Sequence, residues 1–193
     1  MAVKLHAAWA LTLGAFLIYA ATGGGRIVGS DEVTMLELSR ALLHGRIDVP
    51  EGATMPGRGG LNFTKNAAGQ AVMALPLTAL GDAASHAAPP ARRELAERAV
   101  VSFFNAFVTA LLLGVFYSTA RALGAGGGAS MGAALLLGFT TPLWVYAKSF
   151  MAEPLEALGL LLVLGGSARA RVGGRGAPLQ AALGVMLAVC SKL

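Results

Sequence analysis

Seven side chains of this sequence have the type and placement to do chemistry: the acids Asp31, Glu32, Glu153 and Glu156, and the cations Arg58, Lys65 and Lys148. A carboxylate can take the proton of an attacking hydroxyl, and a cation can hold the charge of a departing phosphate. Each also has a plainer reading. Asp31 and Glu32 suit the first turn of a helix, where the macrodipole favours negative charge, and Glu153 beside Pro154 suits another. Arg58 and Lys65 suit either a solvated loop or a phosphate. Lys148 suits a lysine that snorkels to a membrane interface. Glu156 lies one turn beyond Glu153 on the same helical face, at a depth where a carboxylate usually meets a cavity or a partner.

The first acids open the stretch Ser30 to Asp48, SDEVTMLELSRALLHGRID. Ser30 or Asp31 is expected to cap the helix by accepting from its unpaired N–H groups. Met35, Leu38 and Leu42 recur at helical spacing, with Leu36 and Leu43 widening the apolar face, and Gly45 after His44 supplies a left-handed stop. The expected element is a helix of about 13 residues, too short and too charged to cross a bilayer, lying along its surface.

The rest of the chain reads as scaffold for that helix. It is 55% hydrophobic and 13% charged, with a mean hydropathy of +0.65. Apolar residues come in blocks, which places the chain among integral membrane proteins. The net charge of +5 sits largely at the ends of those blocks, as the positive-inside rule requires, so no nucleic-acid partner is expected. Cys190 is the single cysteine, which excludes an internal disulfide and a cysteine zinc cluster. His6 and His44 lack the spacing of a metal pair. The sequence contains no Walker loop, GxGxxG, HExxH or GxSxG motif.

The predicted fold class is an all-α polytopic membrane bundle, one membrane domain over 1–193, with spans near 5–22, 99–120, 128–147, 154–168 and 177–193. The first block reads as a span or as a signal peptide cleaved near Ala20–Ala21. The outer segment 23–98 holds the juxtamembrane helix, a Gly- and Pro-rich loop over 47–70, and Ala71 to Gly81, an apolar run interrupted by Pro76 and expected to be re-entrant or interfacial. Asn105 within the second span is expected to donate a hydrogen bond between helices. Trp144 and Tyr146 mark an interface. Lys4, Arg121, Arg169, Arg171 and Arg175 place the intervening loops in the cytoplasm. Asp31, Glu32 and Glu153 then emerge together on the opposite face.

Three stretches, in order, carry a resemblance: SDEVTMLELSRALLHGR after the first span, GGLNFTKNAAGQAVMALPLTALG, and GFTTPLWVYAKSFMAEPLEALGLLL. Together they resemble the N-terminal part of the polytopic, lipid-carrier-dependent glycosyltransferases of the GT-C superfamily, which includes dolichyl-phosphate-mannose mannosyltransferases and aminoarabinose transferases. The resemblance implies a glycosyltransferase in a bacterial inner membrane that moves a sugar from a polyprenyl-phosphate donor to an acceptor on the outer face. It implies Asp31 as catalytic base, Glu32 as its acidic neighbour, Glu153 as the acid of the second outer loop, and Lys65 as the cation meeting the carrier phosphate. Arg58, Lys148 and Glu156 complete the expected substrate-binding set, and a divalent cation could bridge carboxylates and phosphate. The segment Asn62 to Asn66 lacks the tyrosines that surround the lysine in that superfamily. Superfamily members are also longer, so the chain is expected to be an N-terminal portion, inactive alone. The competing expectation is a non-enzymatic membrane protein, a transporter or an assembly subunit, with Glu153 and Glu156 lining a path.

Overall fold

The computed structural model describes residues 2–50, 54–171 and 173–192, with side chains from His6 onward. The side chain of Lys4, an expected charge marker, residues 51–53 of the expected outer loop, and Leu193 at the end of the fifth expected span lie outside what is described. The chain is all-α apart from one small hairpin.

Helix α1 (Ala2–Thr22) ends where Gly23 to Gly25 offer no side chain to continue it, with Gly25 at φ +59°. An extended segment leads to α2 (Ser30–Leu43). This helix closes as expected: the N–H groups of Gly45 and Arg46 donate to the carbonyls of Leu42 and Ala41, with Gly45 at φ +69°. Its start differs from expectation. Gly29 is the N-cap, and neither Ser30 nor Asp31 caps the helix.

The expected loop over 47–70 holds a two-stranded antiparallel hairpin, β1 (Thr54–Pro56) with β2 (Asn62–Thr64), in which Met55 pairs with Phe63. Gly59 and Gly60, both at φ +74°, make the turn. The run containing Pro76 is longer than expected and uninterrupted: α3 extends from Gly69 to Ala87, through the proline. Neighbours secure it there. Ser39 of α2 donates to the Ala71 carbonyl at 2.9 Å and meets Thr78 Oγ1 at 2.8 Å. Helix α3 also packs along α4, where Gly81 lets it approach Glu97 and Val101.

Helix α4 (Arg93–Ala122) is the hub, packed against α1, α3, α5 and α7. The core gathers on it: Val101, Phe104, Val108, Leu112 and Leu113 meet Leu11, Ala15 and Tyr19 of α1, and Leu155 and Leu158 further on. The expected span over 128–147 is two helices, α5 (Gly127–Thr140) and α6 (Leu143–Tyr146). Pro142 bars Thr141 from helical geometry, and Thr141 lies extended at φ −114°, ψ 171°. Helices α7 (Glu153–Ala170) and α8 (Ala177–Lys192) then form a close antiparallel pair. Added Cβ atoms on Gly159, Gly166 or Gly184 would strike backbone of the partner helix, so the two main chains are in direct contact.

Among the described residues, one helix is long and apolar enough to cross a membrane: α4 counted with its leading 3-10 turn, Pro90–Ala122. His6–Thr22, Gly127–Thr140 and Ala177–Lys192 are apolar and shorter.

The short helix α2 is pinned to this scaffold by a fork. Arg40 donates from Nε and Nη2 to the two oxygens of Glu97 on α4, each at 2.7 Å, and also pairs with Glu37. Burial alone would lower the pKa of Arg40, but the hydrogen bonds and charges of Glu97 and Glu37 outweigh it and raise it. Glu97→Ala, which strands a half-buried guanidinium, is expected to destabilise the protein by about 2–3 kcal/mol. Arg40→Lys should lose part of that, because an ammonium cannot bridge both oxygens. Thermal unfolding followed by circular dichroism measures both.

Candidate functional site

The start of α2 is organised by Glu32. Its Oε2 accepts from Gly29 N at 2.7 Å and Val28 N at 3.2 Å, closing the first turn. Its Oε1 accepts from Phe150 N at 2.7 Å, in the loop between α6 and α7. The side chain is buried, and a Cβ on Gly29 would sit only 2.9 Å from Oε2. Three backbone donors thus occupy a carboxylate expected to be the catalytic base's neighbour. Its role in this structure is to hold two loops together.

The second loop is held from below as well. Asn105 on α4 donates to the carbonyls of Met151 at 2.8 Å and Tyr146 at 3.2 Å. The expected donor role between helices is there at the Tyr146 carbonyl, the last of α6, and the same amide also reaches the following loop at Met151. Phe150 is fully buried, edge-on to Phe104 at 5.9 Å between centroids. Glu32, Asn105 and Phe104 therefore fix residues 146–152, and with them the first residue of α7, Glu153.

This framing leaves a cleft of about 170 Å³ at one end of the bundle, bordered by Asp31, Lys65, Gln70, Phe150, Glu153 and Lys192 among others. Asp31, Lys65 and Glu153, distant in sequence, all border it. Lys65 Nζ lies 3.2 Å from Asp31 Oδ1, and Lys192 Nζ lies 3.3 Å from Glu153 Oε1 and 3.8 Å from Glu156. Both lysines are about half exposed, at 51% and 53% of their side chains. Pairs this open are worth roughly 0.2–1 kcal/mol, so an incoming anion can part them. Of the residues that border the cleft, Glu153 Oε2 and both amide atoms of Gln70 are buried without a partner among the described residues.

Three expected ligands stand elsewhere, the first being Glu156, which meets Lys192 but does not border the cleft. Arg58 is exposed in the hairpin turn and does not border the cleft. Lys148 lies over the Trp144 ring at 4.1 Å, beside a separate cavity near Gly23 to Gly25. The cation–π contact, backed by the packing of Trp144 on Tyr19 and Phe139, holds its charge away from the acids. Among the described residues no three His, Cys, Asp or Glu side chains gather as a metal site; lysines meet the acids of the cleft instead.

Lys192 and Gln70 were missed from the sequence. Lys192 is the sole charge in its apolar run, and counting helices back and forth would have put it at the same end as Glu153. Gln70 is the one polar side chain directly ahead of an apolar run. Beside the cleft, sharing Ala67 and Ser191 with it, runs an apolar groove of about 480 Å³ lined by Val72, Met73, Leu155, Met186 and Cys190.

Glu32→Ala would leave three backbone N–H groups unpaired and is expected to cost about 2–4 kcal/mol of stability. Glu32→Gln, which cannot accept at both ends, should fall between it and the parent in thermal unfolding. Compared with known proteins, the chain matches no protein-family model, no curated protein and no solved structure.

Proposed function

We propose that this protein is a polytopic membrane glycosyltransferase of the GT-C kind, taking a sugar from a polyprenyl-phosphate donor. One observation carries the reading: the charged cleft with its openable Asp31–Lys65 pair lies against an apolar groove. An amphiphile with a phosphate head and a hydrocarbon tail has complementary surfaces on both sides of that shared wall. Large apolar side chains directed outward from several helices, including Leu13, Leu17, Phe107, Leu136, Leu160 and Leu179, suit a hydrocarbon surround. In this reading the cleft opens on the outer face of a bacterial inner membrane.

The reaction assigns one task to each group. The acceptor hydroxyl oxygen attacks the anomeric carbon as the bond from that carbon to the phosphate oxygen breaks. The bonding pair leaves with the phosphate. Asp31, free on one oxygen, takes the hydroxyl proton. Lys65, released from Asp31, and Lys192, released from Glu153, meet the charge that accumulates on the phosphate.

Asp31→Asn is expected to lower sugar transfer by at least about a hundredfold while donor binding stays within about twofold. Lys65→Ala should weaken binding of the donor. Transfer of labelled sugar and titration of the lipid onto purified protein in nanodiscs report the two effects separately. Undiminished transfer by Asp31→Asn would rule out its role as base. Absence of both transfer and lipid binding in the parent would favour a non-enzymatic membrane protein.

A further inference from the structure

Gln70, in the first turn of α3, is fully buried and borders the cleft, and neither its Oε1 nor its Nε2 has a partner among the described residues. Enclosed polar side chains elsewhere are of both kinds among the described residues: Ser39 and Thr78 bond to each other and to backbone carbonyls, whereas the hydroxyls of Thr109 and Thr119 have no partner. Leaving a buried donor or acceptor unmade costs about 1–3 kcal/mol each, so an amide with both ends unmade is poor as mere filling. A leucine or methionine would fill that volume without the penalty.

The type of unmade bond narrows what could complete it. A primary amide offers donors at nitrogen and an acceptor at oxygen. A phosphate oxygen accepts and does not donate, so it could serve Nε2 only. Glu153 Oε2, the other unpartnered atom of the cleft, calls for a donor as well. A group that donates and accepts is required, and a hydroxyl does both. The cations differ in exposure: Lys65 and Lys192 are half exposed, while Gln70 is fully enclosed. Phosphate and hydroxyl recognition are therefore separated in depth.

We infer that Gln70 is a specificity-determining residue that hydrogen-bonds a hydroxyl of the transferred sugar, with the inner end of the cleft as the sugar subsite and the lysine rim as the phosphate subsite. This rests on the donor-binding reading above. It also predicts that the two subsites can be lost independently.

The probes are undecaprenyl phosphate and the same lipid carrying glucose, mannose or arabinose, titrated onto the full chain in nanodiscs. The parent should bind at least one sugar-bearing lipid about tenfold more tightly than the bare phosphate, the worth of one good hydrogen bond pair. Gln70→Ala and Gln70→Met should each erase that preference and leave affinity for the bare lipid unchanged, with Gln70→Met at least as stable to heat as the parent. Lys65→Ala should weaken all the lipids alike. The inference is overturned if the preference survives in either folded Gln70 variant, if bare-lipid affinity falls in parallel, if both variants fail to fold, or if the parent shows no preference for any sugar. Should the parent bind no lipid at all, the donor site itself is refuted and the sugar subsite with it; retained bare-lipid binding with no sugar preference refutes the subsite alone.

Discussion

The cleft depends on one carboxylate. Glu32 joins the start of α2 to the loop before α7, two segments more than a hundred residues apart in sequence, through N–H bonds from Gly29, Val28 and Phe150. That bridge ties the start of α2, with Asp31, directly to the loop that leads into Glu153. A carboxylate does this well because its two oxygens can accept in different directions, and bonds to an ionised acceptor are the stronger kind. Burial then makes the arrangement costly to break, since any of the three donors left alone would face protein instead of water.

The structure separates what is held firmly from what can yield. The supports of the site are enclosed: Asn105 under the second loop, Phe150 against Phe104, the Arg40–Glu97 fork, and Ser39 between α2 and α3. The ion pairs in the cleft are the opposite. Lys65 with Asp31 and Lys192 with Glu153 are partly open to solvent, where screening and side-chain entropy cancel most of the attraction. A ligand that separates them disturbs little else. Close packing of α7 on α8 through glycines contributes to the same end, because it carries Lys192 back to the end of α7 that holds Glu153.

Most of the architecture was legible in the sequence. Apolar blocks gave the helical class, Gly45 gave the end of α2, and the glycines at 23–25 gave the end of α1, because backbone conformation there is decided by residues close in sequence. The boundaries that differ from expectation were set by neighbours in space at Pro76 and by local contacts at Pro142 and Glu32. Pro76 looked like a breaker, yet α3 passes through it with α2 and α4 alongside. Pro142 received no weight, although it ends α5 through a local clash with the residue before it. Ser30 and Asp31 have good capping side chains, but Glu32 captured the cap from inside the helix.

The same division holds for the site. By itself the sequence determined which acids and cations exist and, through the alternation of helices, that Asp31, Glu32 and Glu153 emerge at one end. Only the tertiary structure decided how they are used. It turned Glu32 into a brace, set Lys148 on Trp144, left Arg58 in the hairpin turn, and brought Gln70 and Lys192 to the cleft. The physical reason is that a side chain's role follows from what it touches. For Glu32, Gln70 and Lys192 the deciding contacts join segments far apart in the chain, which no local spacing encodes, whereas Lys148 and Arg58 are placed by neighbours within a few residues.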